Sequence, residues 1–473
     1  MWTAFGVAAI ISLSWIVTVA RSIPLRDGDR GVFASMAERL AAGDTLYVDV
    51  WDNKEPLFYL TLAAGRLVSP YMDVAIELLW LGASALAMYA VLRASEVPRS
   101  MSALVGLGMT PLILTGGAYY AGFSHLPGTA IVLGTYALLV HGRPGLAGAL
   151  LPVLAAYKVV MVPMAIAIFA VHFLLNRDRR ELIRMVVGAG IAGTAVGLVL
   201  LVRGELRGFV DLMVSNVGYS QSSISDSYQL PIWKHIEPVM QGPAMATLAG
   251  TILVLSLTWR LARDASRSLW WTTSATLAGA LLVTAATGLW PHHGQILYAP
   301  AALALALLVT SFPPLRQVVL STLALVVAAM VVLSGAPSLR SVVDSGLSAR
   351  GRWSDLARIA AATQDLLVTA PGGGSYARLG KNTDDSHAQG LGAFEYRCRQ
   401  FVQYTYDLPT TLELIPSCLP TVDYVIVDRG LVPEAGEERW NGFVARSEEA
   451  LMQSFICDVR PWGRLCENRS LSQ

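Results

Sequence analysis

The sequence predicts an α-helical polytopic membrane protein that carries a small soluble α/β domain at its C-terminal end. Of its 473 residues, 54% are hydrophobic and only 15% are charged, whereas soluble globular proteins carry about 25% charged residues. The apolar residues come in blocks, and a helix of about 20 apolar residues crosses a ~30 Å hydrocarbon layer. All cysteines, by contrast, fall in the polar last third of the chain, at Cys398, Cys418, Cys457 and Cys466.

About eleven apolar blocks are bounded by charged residues or by Pro and Gly, which makes each a candidate span. Their approximate bounds are 3–20, 73–93, 102–120, 127–141, 145–158, 160–175, 185–202, 241–260, 269–289, 296–312 and 317–334. The first block lacks a basic n-region and a small-residue cleavage site, so we expect a retained span and not a signal peptide. The stretch 145–175 is too long for one span and is interrupted by Lys158, which predicts two short helices that meet there. The sequence therefore predicts a membrane domain over residues 1–335 and a soluble domain over residues 336–473.

The arginines of the short loops predict the orientation in the membrane, because cytoplasmic loops carry an excess of Lys and Arg. With a cytoplasmic N-terminus, the cytoplasmic loops contain Arg93, Arg99, Arg143, Arg177, Arg179, Arg180, Arg184, Arg260, Arg263, Arg267 and Arg316. The short loops of the other side, near 121–126 and 290–295, contain neither Lys nor Arg. This asymmetry predicts extracytoplasmic loops over 21–72 and 203–240 and an extracytoplasmic C-terminal domain.

The cysteines independently favour the same side of the membrane. An even number of cysteines confined to a soluble domain indicates two disulfides and an oxidising compartment; four free thiols in a cytosolic domain are the alternative. Short sequence separation favours the pairs Cys398–Cys418 and Cys457–Cys466, although four cysteines allow three pairings. No C-x2-C pair points to zinc. The net charge of +1 suggests neither a nucleic-acid partner nor another polyanionic one. The apolar blocks predict that the lipid bilayer surrounds the first part of the chain.

The first extracytoplasmic loop is rich in acidic residues and contains two predicted amphipathic helices, over Val32–Leu40 and Pro56–Val68, which we expect to lie along the membrane surface. The charged residues around them are Asp27, Asp29, Asp44, Asp49, Asp52, Lys54 and Glu55. A carboxylate at the mouth of a membrane cavity can act as a general base or can bind a divalent cation. Asp44 follows a glycine, which is typical of a turn, and a helix N-cap is the plainer interpretation of Asp29.

A string of residues in this loop carries a family resemblance: Asp29-Arg30-Gly31-Val32-Phe33, then Ala37, Leu40 and Gly43, then Leu46-Tyr47-x-Asp49-x-Trp51-Asp52-x-Lys54-x-Pro56. It resembles the first-loop signature of bacterial glycosyltransferases of the C superfamily, in the branch of protein O-mannosyltransferases and lipid A aminoarabinose transferases. Those enzymes take a sugar from a polyprenyl-phosphate carrier at the outer side of the membrane. The resemblance implies that Asp29 is the catalytic or substrate-orienting carboxylate. Asp27 is the alternative, because Arg26-Asp27-Gly28 offers a second alignment.

The resemblance also implies which residues meet the donor phosphate. Arg30 and Lys54 lie within the first-loop string, and Glu55 stands where family members often have proline. Lys158 matches a helix-breaking lysine that pairs with the phosphate, and an intramembrane lysine is a functional hypothesis in its own right. Snorkelling to the interface is the alternative for Lys158. Asp49 and Asp52 are candidate ligands for a divalent cation, Mg²⁺ or Mn²⁺, and no cofactor is otherwise predicted.

Two further predicted extracytoplasmic segments resemble the family more weakly. His125 opens a predicted span where it could contact the carrier phosphate, and an interfacial polar side chain is the plainer interpretation. His292 and Tyr298 resemble the His/Tyr-containing entry to a late span. A histidine at an outer membrane face suits phosphate binding, whereas packing in an aromatic belt is the alternative for Tyr298.

The C-terminal domain is predicted to alternate helix and strand, with a helix over Trp353–Leu367, a buried strand over Val422–Asp428 and a helix over Glu448–Phe455. The glycine run Gly372–Gly374 lacks the Gly-Lys-Ser/Thr ending of a phosphate loop. Nothing in this domain indicates catalysis, and we expect it to position an acceptor or to cover the membrane cavity.

The predicted function is transfer of a sugar from a polyprenyl-phosphate donor to an extracytoplasmic acceptor, which is a cell-wall glycan, a lipid or a protein, with inversion at the anomeric carbon. The predicted location is the inner membrane of a bacterial cell. A transporter or flippase of lipid-linked glycans is one alternative, although no pair of related halves is visible in the sequence. A non-catalytic cell-envelope assembly protein is the other.

Overall fold

The computed structural model describes residues 29–48, 50, 52, 54–69, 72–115, 124–213, 243–259, 264–286, 291–312, 362, 364–379, 394–396, 398, 416–428, 431–433 and 438–471. The chain divides into two compact units. The first contains residues 1–24 and 54–342, and the second contains 25–53 and 343–473. The predicted spans 3–20 and 317–334 and the predicted boundary at 335/336 lie outside the described residues.

The helices before residue 313 follow the apolar blocks of the sequence closely. They are α1 (Asp29–Ala41), α2 (Pro56–Arg66), α3 (Met72–Ala94), α4 (Arg99–Ser102), α5 (Thr110–Thr115), α6 (His125–Val140), α7 (Pro144–Lys158), α8 (Val162–Asn176), α9 (Arg179–Val202), α10 (Pro243–Thr258), α11 (Asp264–Ala286) and α12 (Tyr298–Ser311). A π-helical segment, Ala103–Met109, joins α4 to α5, and 3₁₀ turns at Val159–Met161 and Pro291–Leu297 precede α8 and α12.

Four helical segments within the described residues are long and apolar enough to cross a membrane: Ala75–Ala94, Pro144–Asn176, Arg179–Val202 and Gly294–Ser311. Two shorter apolar helices cover His125–Val140 and Ala244–Thr258. The structure therefore has the character of a helical membrane protein, but it does not establish the predicted count of about eleven spans. Several predicted spans are shorter than a bilayer as helices, and others fall outside the described residues.

Helices α7 and α9 pack closely because glycines face each other across their interface. A Cβ atom on Gly148 would overlap the carbonyl oxygen of Met185, and one on Gly188 would overlap that of Gly145. Further along, Gly193 faces Pro152, so the two helices run in the same direction. Glycine lets helix backbones approach closely. Such close packing commonly stabilises helix association in membranes, because the hydrophobic effect does not drive helices together within lipid.

The two helices predicted in the first loop are present, as α1 and α2, while their place along the membrane surface stays a prediction. Apolar residues at helical spacing in α1 are buried, namely Phe33, Met36, Ala37 and Leu40. The helix ends before Gly43, whose φ of 113° is accessible mainly to glycine. Asp44, which follows it, accepts a hydrogen bond from Arg39 Nε.

The C-terminal part of the second unit contains a five-stranded sheet in the order β2-β1-β3-β5-β4. Its strands are β1 (Gly374–Leu379), β2 (Phe394–Tyr396), β3 (Tyr424–Asp428), β4 (Phe455–Arg460) and β5 (Gly463–Asn468), and helix α13 (Glu438–Ser454) precedes β4. β1 runs parallel to β2 and β3, whereas β5 pairs antiparallel with β3 and β4. The small α/β domain is therefore present.

The details of this domain confirm the predicted strand and correct the predicted helix Glu448–Phe455 at both ends, while most of the predicted helix Trp353–Leu367 lies outside the described residues. The predicted strand Val422–Asp428 is β3, while the predicted helix Glu448–Phe455 starts ten residues earlier, and Phe455 begins β4. An aromatic residue that is buried at a strand start fits a helix pattern equally well, so periodicity alone cannot place that end. Both favoured disulfides, Cys398–Cys418 and Cys457–Cys466, are formed.

Candidate functional site

Contacts between the helices of the first unit show which helix ends lie together. Leu126 in the first turn of α6 clusters with Tyr298, the first residue of α12, and with Leu81 of α3. At the other end of α6, His141 Nε2 lies 3.1 Å from the carbonyl oxygen of Ala90 in α3. Helices α3 and α6 therefore run in the same direction, and α6 and α12 begin at the same end of the unit.

The end of α7 reaches the same place. A Cβ atom on Gly128, in the first turn of α6, would lie 3.3 Å from Cβ of Lys158 and would overlap Sδ of Met161. The glycine lets the start of α6 pack directly against the junction of α7 and α8. We call this end the polar end of the unit and define it by five buried polar residues, Glu55, His125, Lys158, Gln295 and Tyr298.

The chain breaks its helix at Lys158, as the sequence predicts. This residue has φ −163° and ψ 82°, and a 3₁₀ turn over Val159–Met161 connects it to α8. Such a break interrupts the helical hydrogen bonds and leaves backbone N–H groups that need other acceptors. The N–H of Val159 donates to Glu55 Oε1 over 2.8 Å.

Glu55 reaches the break from the start of α2. It is the N-cap residue of that helix, with Pro56 at the first helical position, but its side chain makes no hydrogen bond to its own helix. Only 3% of the residue is exposed. Its second oxygen, Oε2, has no hydrogen-bond partner among the described residues.

A second contact holds α2 against the end of α7. The hydroxyls of Thr61 and Tyr157 hydrogen-bond to each other. The Tyr157 ring also meets Trp80 of α3 edge to face, with ring centroids 5.2 Å apart. Helix α2 is thus tied to α7 at two points, one turn and a half apart along α2, and both lie at or next to the break.

The buried polar residues of the polar end are costly to hold inside an apolar unit. His125 is 1% exposed and Lys158 is 7% exposed. Ionisable side chains are costly to bury in an apolar interior, and those found in an apolar helical bundle commonly serve a function. An ammonium and an imidazole suit an anionic ligand, and a carboxylate suits a ligand that donates hydrogen bonds.

Several predicted site residues can be placed less fully. Asp29 and Arg30 form the first turn of α1, and His292 lies in the 3₁₀ turn before α12, but the side chains of all three lie outside the described part. Asp27 and Asp49 lie outside it altogether.

Only part of the predicted divalent-cation site lies among the described residues. Asp52 is fully buried, and Lys54 is half-buried. Asp52 belongs to the second unit and Lys54 to the first. Among the residues that the structure describes, no three His, Cys, Asp or Glu side chains are grouped so that they could hold a metal ion. Because Asp49 is not among them, a cation at Asp49 and Asp52 stays a prediction.

Glu55 is a candidate site residue to which the sequence analysis gave no role. It was noted there only because family members often have proline at this position. A signal was present, since an acidic residue directly before a helix-starting proline, next to a lysine, offers a carboxylate at a fixed backbone position. Its partner, the N–H of Val159, is 104 residues away in sequence, so only the packed structure could reveal it.

No protein-family profile, curated protein or solved structure matches the chain.

Proposed function

We propose that this chain is a membrane glycosyltransferase that transfers a sugar from a polyprenyl-phosphate donor to an extracytoplasmic acceptor. The observation that carries the proposal is the polar end, where buried Lys158 and His125 lie together with the carboxyl group of Glu55. A phosphate-linked sugar presents an anion beside a ring of hydroxyl groups, and this set of side chains matches both. The resemblance of the first loop supports the same function.

In the proposed reaction, Asp29 accepts the proton of an acceptor hydroxyl, and the hydroxyl oxygen attacks the anomeric carbon of the sugar. The bond between that carbon and the phosphate oxygen breaks, and its electron pair leaves with the lipid phosphate. Lys158, with Arg30, Lys54, His125 or His292, stabilises the charge that accumulates on the phosphate. Attack on the face opposite the leaving group inverts the anomeric configuration.

The test is donor consumption by purified protein in lipid nanodiscs. The protein is incubated with radiolabelled polyprenyl-phosphate hexoses and pentoses and with a cell-envelope extract as the source of acceptors. Release of sugar-free polyprenyl phosphate is then measured, because this product is the same whichever acceptor takes the sugar. We expect wild type to release it and Asp29→Asn to lose at least 100-fold in rate. Asp458→Asn, at an exposed strand position, is the matched control, and unchanged release by Asp29→Asn would refute the role of Asp29.

One observation favours a transporter of lipid-linked glycans as the second candidate. The apolar segment Pro144–Asn176 is broken at Lys158, and apolar helices that are broken beside polar groups also occur in transporters. Reconstituted liposomes that hold fluorescent lipid-linked sugar distinguish the two functions. Movement of the lipid between leaflets without release of sugar-free lipid phosphate supports transport, and release without movement supports transfer.

The proposed orientation, with the C-terminal domain outside the cytoplasm of a bacterial cell, is supported by the two disulfides and by the arginine-rich loops. We expect a green fluorescent protein fused to the C-terminus to stay dark, because its fluorophore does not mature after export through the general secretion pathway. Bright fluorescence of the fusion in the cell membrane would contradict this orientation.

A further inference from the structure

Glu55 carries a carboxyl oxygen that the protein buries and leaves without a hydrogen bond. Oε1 accepts from the N–H of Val159 over 2.8 Å, while Oε2 has no hydrogen-bond partner among the described residues. The whole residue is 97% buried. Buried polar atoms in folded proteins almost always have a partner, so an orphaned carboxylate oxygen at a candidate site indicates a place for a group that comes from outside the chain.

The surroundings prevent this carboxyl group from turning away. The backbone of Glu55 is extended, with φ −72° and ψ 150°, and Pro56 follows it with a fixed φ. One turn and a half further along α2, Thr61 is hydrogen-bonded to Tyr157, which keeps the helix against the break. Because Oε1 is committed to the backbone at Val159, the position of Oε2 is fixed as well.

The chemistry of Oε2 limits what can meet it. In its ionised form a carboxylate only accepts hydrogen bonds, so the missing group is an O–H or N–H donor. A phosphate is excluded at this atom by like charge. Lys158, the residue directly before Val159, is the group that suits a phosphate. The Glu55 carboxyl group, an acceptor for a sugar, is hydrogen-bonded to the residue that directly follows Lys158, a cation for a phosphate.

We propose that Glu55 binds the sugar of a polyprenyl-phosphate sugar, through a hydrogen bond from a ring hydroxyl or amino group to Oε2. This assignment rests on the proposed function and deepens it, since it divides the donor between two groups of the polar end. Glu55 holds the sugar and determines which ring positions must carry a donor group, whereas the lipid phosphate is held elsewhere.

Binding measurements with two lipids separate the two halves of the donor. The full-length protein in nanodiscs is titrated with polyprenyl-phosphate hexose or pentose and, separately, with sugar-free polyprenyl phosphate. The variant Glu55→Gln keeps an oxygen for the N–H of Val159 but turns a donor toward the sugar. We expect it to bind the sugar-free lipid as wild type does and to lose about 10- to 100-fold in affinity for the sugar-bearing lipid. The matched control is Glu96→Gln, at an exposed turn.

A second measurement uses deoxy sugars, and its first part needs only wild type, so it does not depend on whether the variant folds. Removing single hydroxyl groups from the donor sugar should weaken binding by a similar factor at one ring position, and Glu55→Gln should not weaken binding of that deoxy sugar further. If no single deletion weakens binding, or if Glu55→Gln binds both lipids as wild type does, Glu55 has no role in sugar binding. Donor consumption is followed in parallel. Normal consumption together with either of those results overturns only the assignment of Glu55, whereas wild type that binds neither lipid overturns the proposed function as well.

Discussion

The glycine contact between α7 and α9 offers a prediction that depends on helix packing alone. We expect Gly148→Ala and Gly188→Ala each to destabilise the first unit. The new methyl group at position 148 would overlap the backbone of Met185, and that at position 188 would overlap the backbone of Gly145. Backbone atoms cannot rotate away as a side chain can, so the two helices have to separate.

The expected magnitude follows from the size of the overlap. Relief of the overlap requires a separation on the order of 1 Å, and a gap of that size forfeits a quarter to a half of the dispersion energy of the atoms along the contact. Overpacking of this kind costs about 1–3 kcal/mol. Alanine is a better helix former than glycine by about 1 kcal/mol in water, which offsets part of the loss. Because both overlaps are with backbone oxygens, the upper end of the overpacking range applies, and we expect a net destabilisation of about 2 kcal/mol for each substitution.

Two glycines of the same helix provide the control. Gly190 and Gly197 of α9 have no atom within 4 Å of a Cβ built on them, so Gly190→Ala and Gly197→Ala should leave stability unchanged or raise it slightly. The measurement is the temperature at which half of the detergent-solubilised protein leaves the monodisperse peak in size-exclusion chromatography. If Gly188→Ala and Gly190→Ala shift this temperature equally, the close packing of α7 on α9 is wrong.

Three further substitutions address other contacts in the two units, each measured by thermal unfolding of the purified full-length chain. Glu55→Ala removes the acceptor for the N–H of Val159 and should cost about 1.5–3 kcal/mol, whereas Glu55→Gln should cost less than half as much; equal losses would mean that the hydrogen bond does not stabilise the break. Replacing Cys457 and Cys466 together by serine should cost about 2–3 kcal/mol for a closed loop with a sequence separation of 9. Non-reducing peptide mapping of wild type should find these two cysteines linked, and free thiols at both would refute the pairing. Asp423→Ala removes an acceptor, Oδ2, that lies 2.7 Å from both the backbone nitrogen and the hydroxyl oxygen of Ser375, and should cost about 2–3 kcal/mol, while no loss would show that β1 and the start of β3 are held together by other contacts.

The helical segments could be predicted well because hydrophobicity and helix-breaking residues are local properties. Helix α3 begins and ends within one residue of the predicted span 73–93, and the break at Lys158 falls where a charged residue interrupts an apolar run. Strands β1, β2, β4 and β5 were not predicted. β1 and β5 pair with β3, which is distant from both in sequence, whereas β4 forms a hairpin with β5 directly after it. All four strands are short, and strand propensity depends strongly on the neighbouring strands, so they leave a weak local pattern.

Composition, spacing and residue type were enough to predict a helical chain rich in apolar segments with a small disulfide-bonded α/β domain, and to select candidate site residues such as Asp29, Lys54, His125, Lys158 and Tyr298. These conclusions rest on composition, spacing and residue type, which are independent of how the helices contact one another. Which helix ends meet could be seen only in the packed structure.

It brought His125, Lys158 and Tyr298 to one end of the first unit, and it gave Glu55 a partner 104 residues away. A buried carboxylate has to satisfy its hydrogen bonds within reach of its own atoms. Which atoms those are depends on how α2, α7 and α8 pack together, and no local pattern of residues specifies that packing.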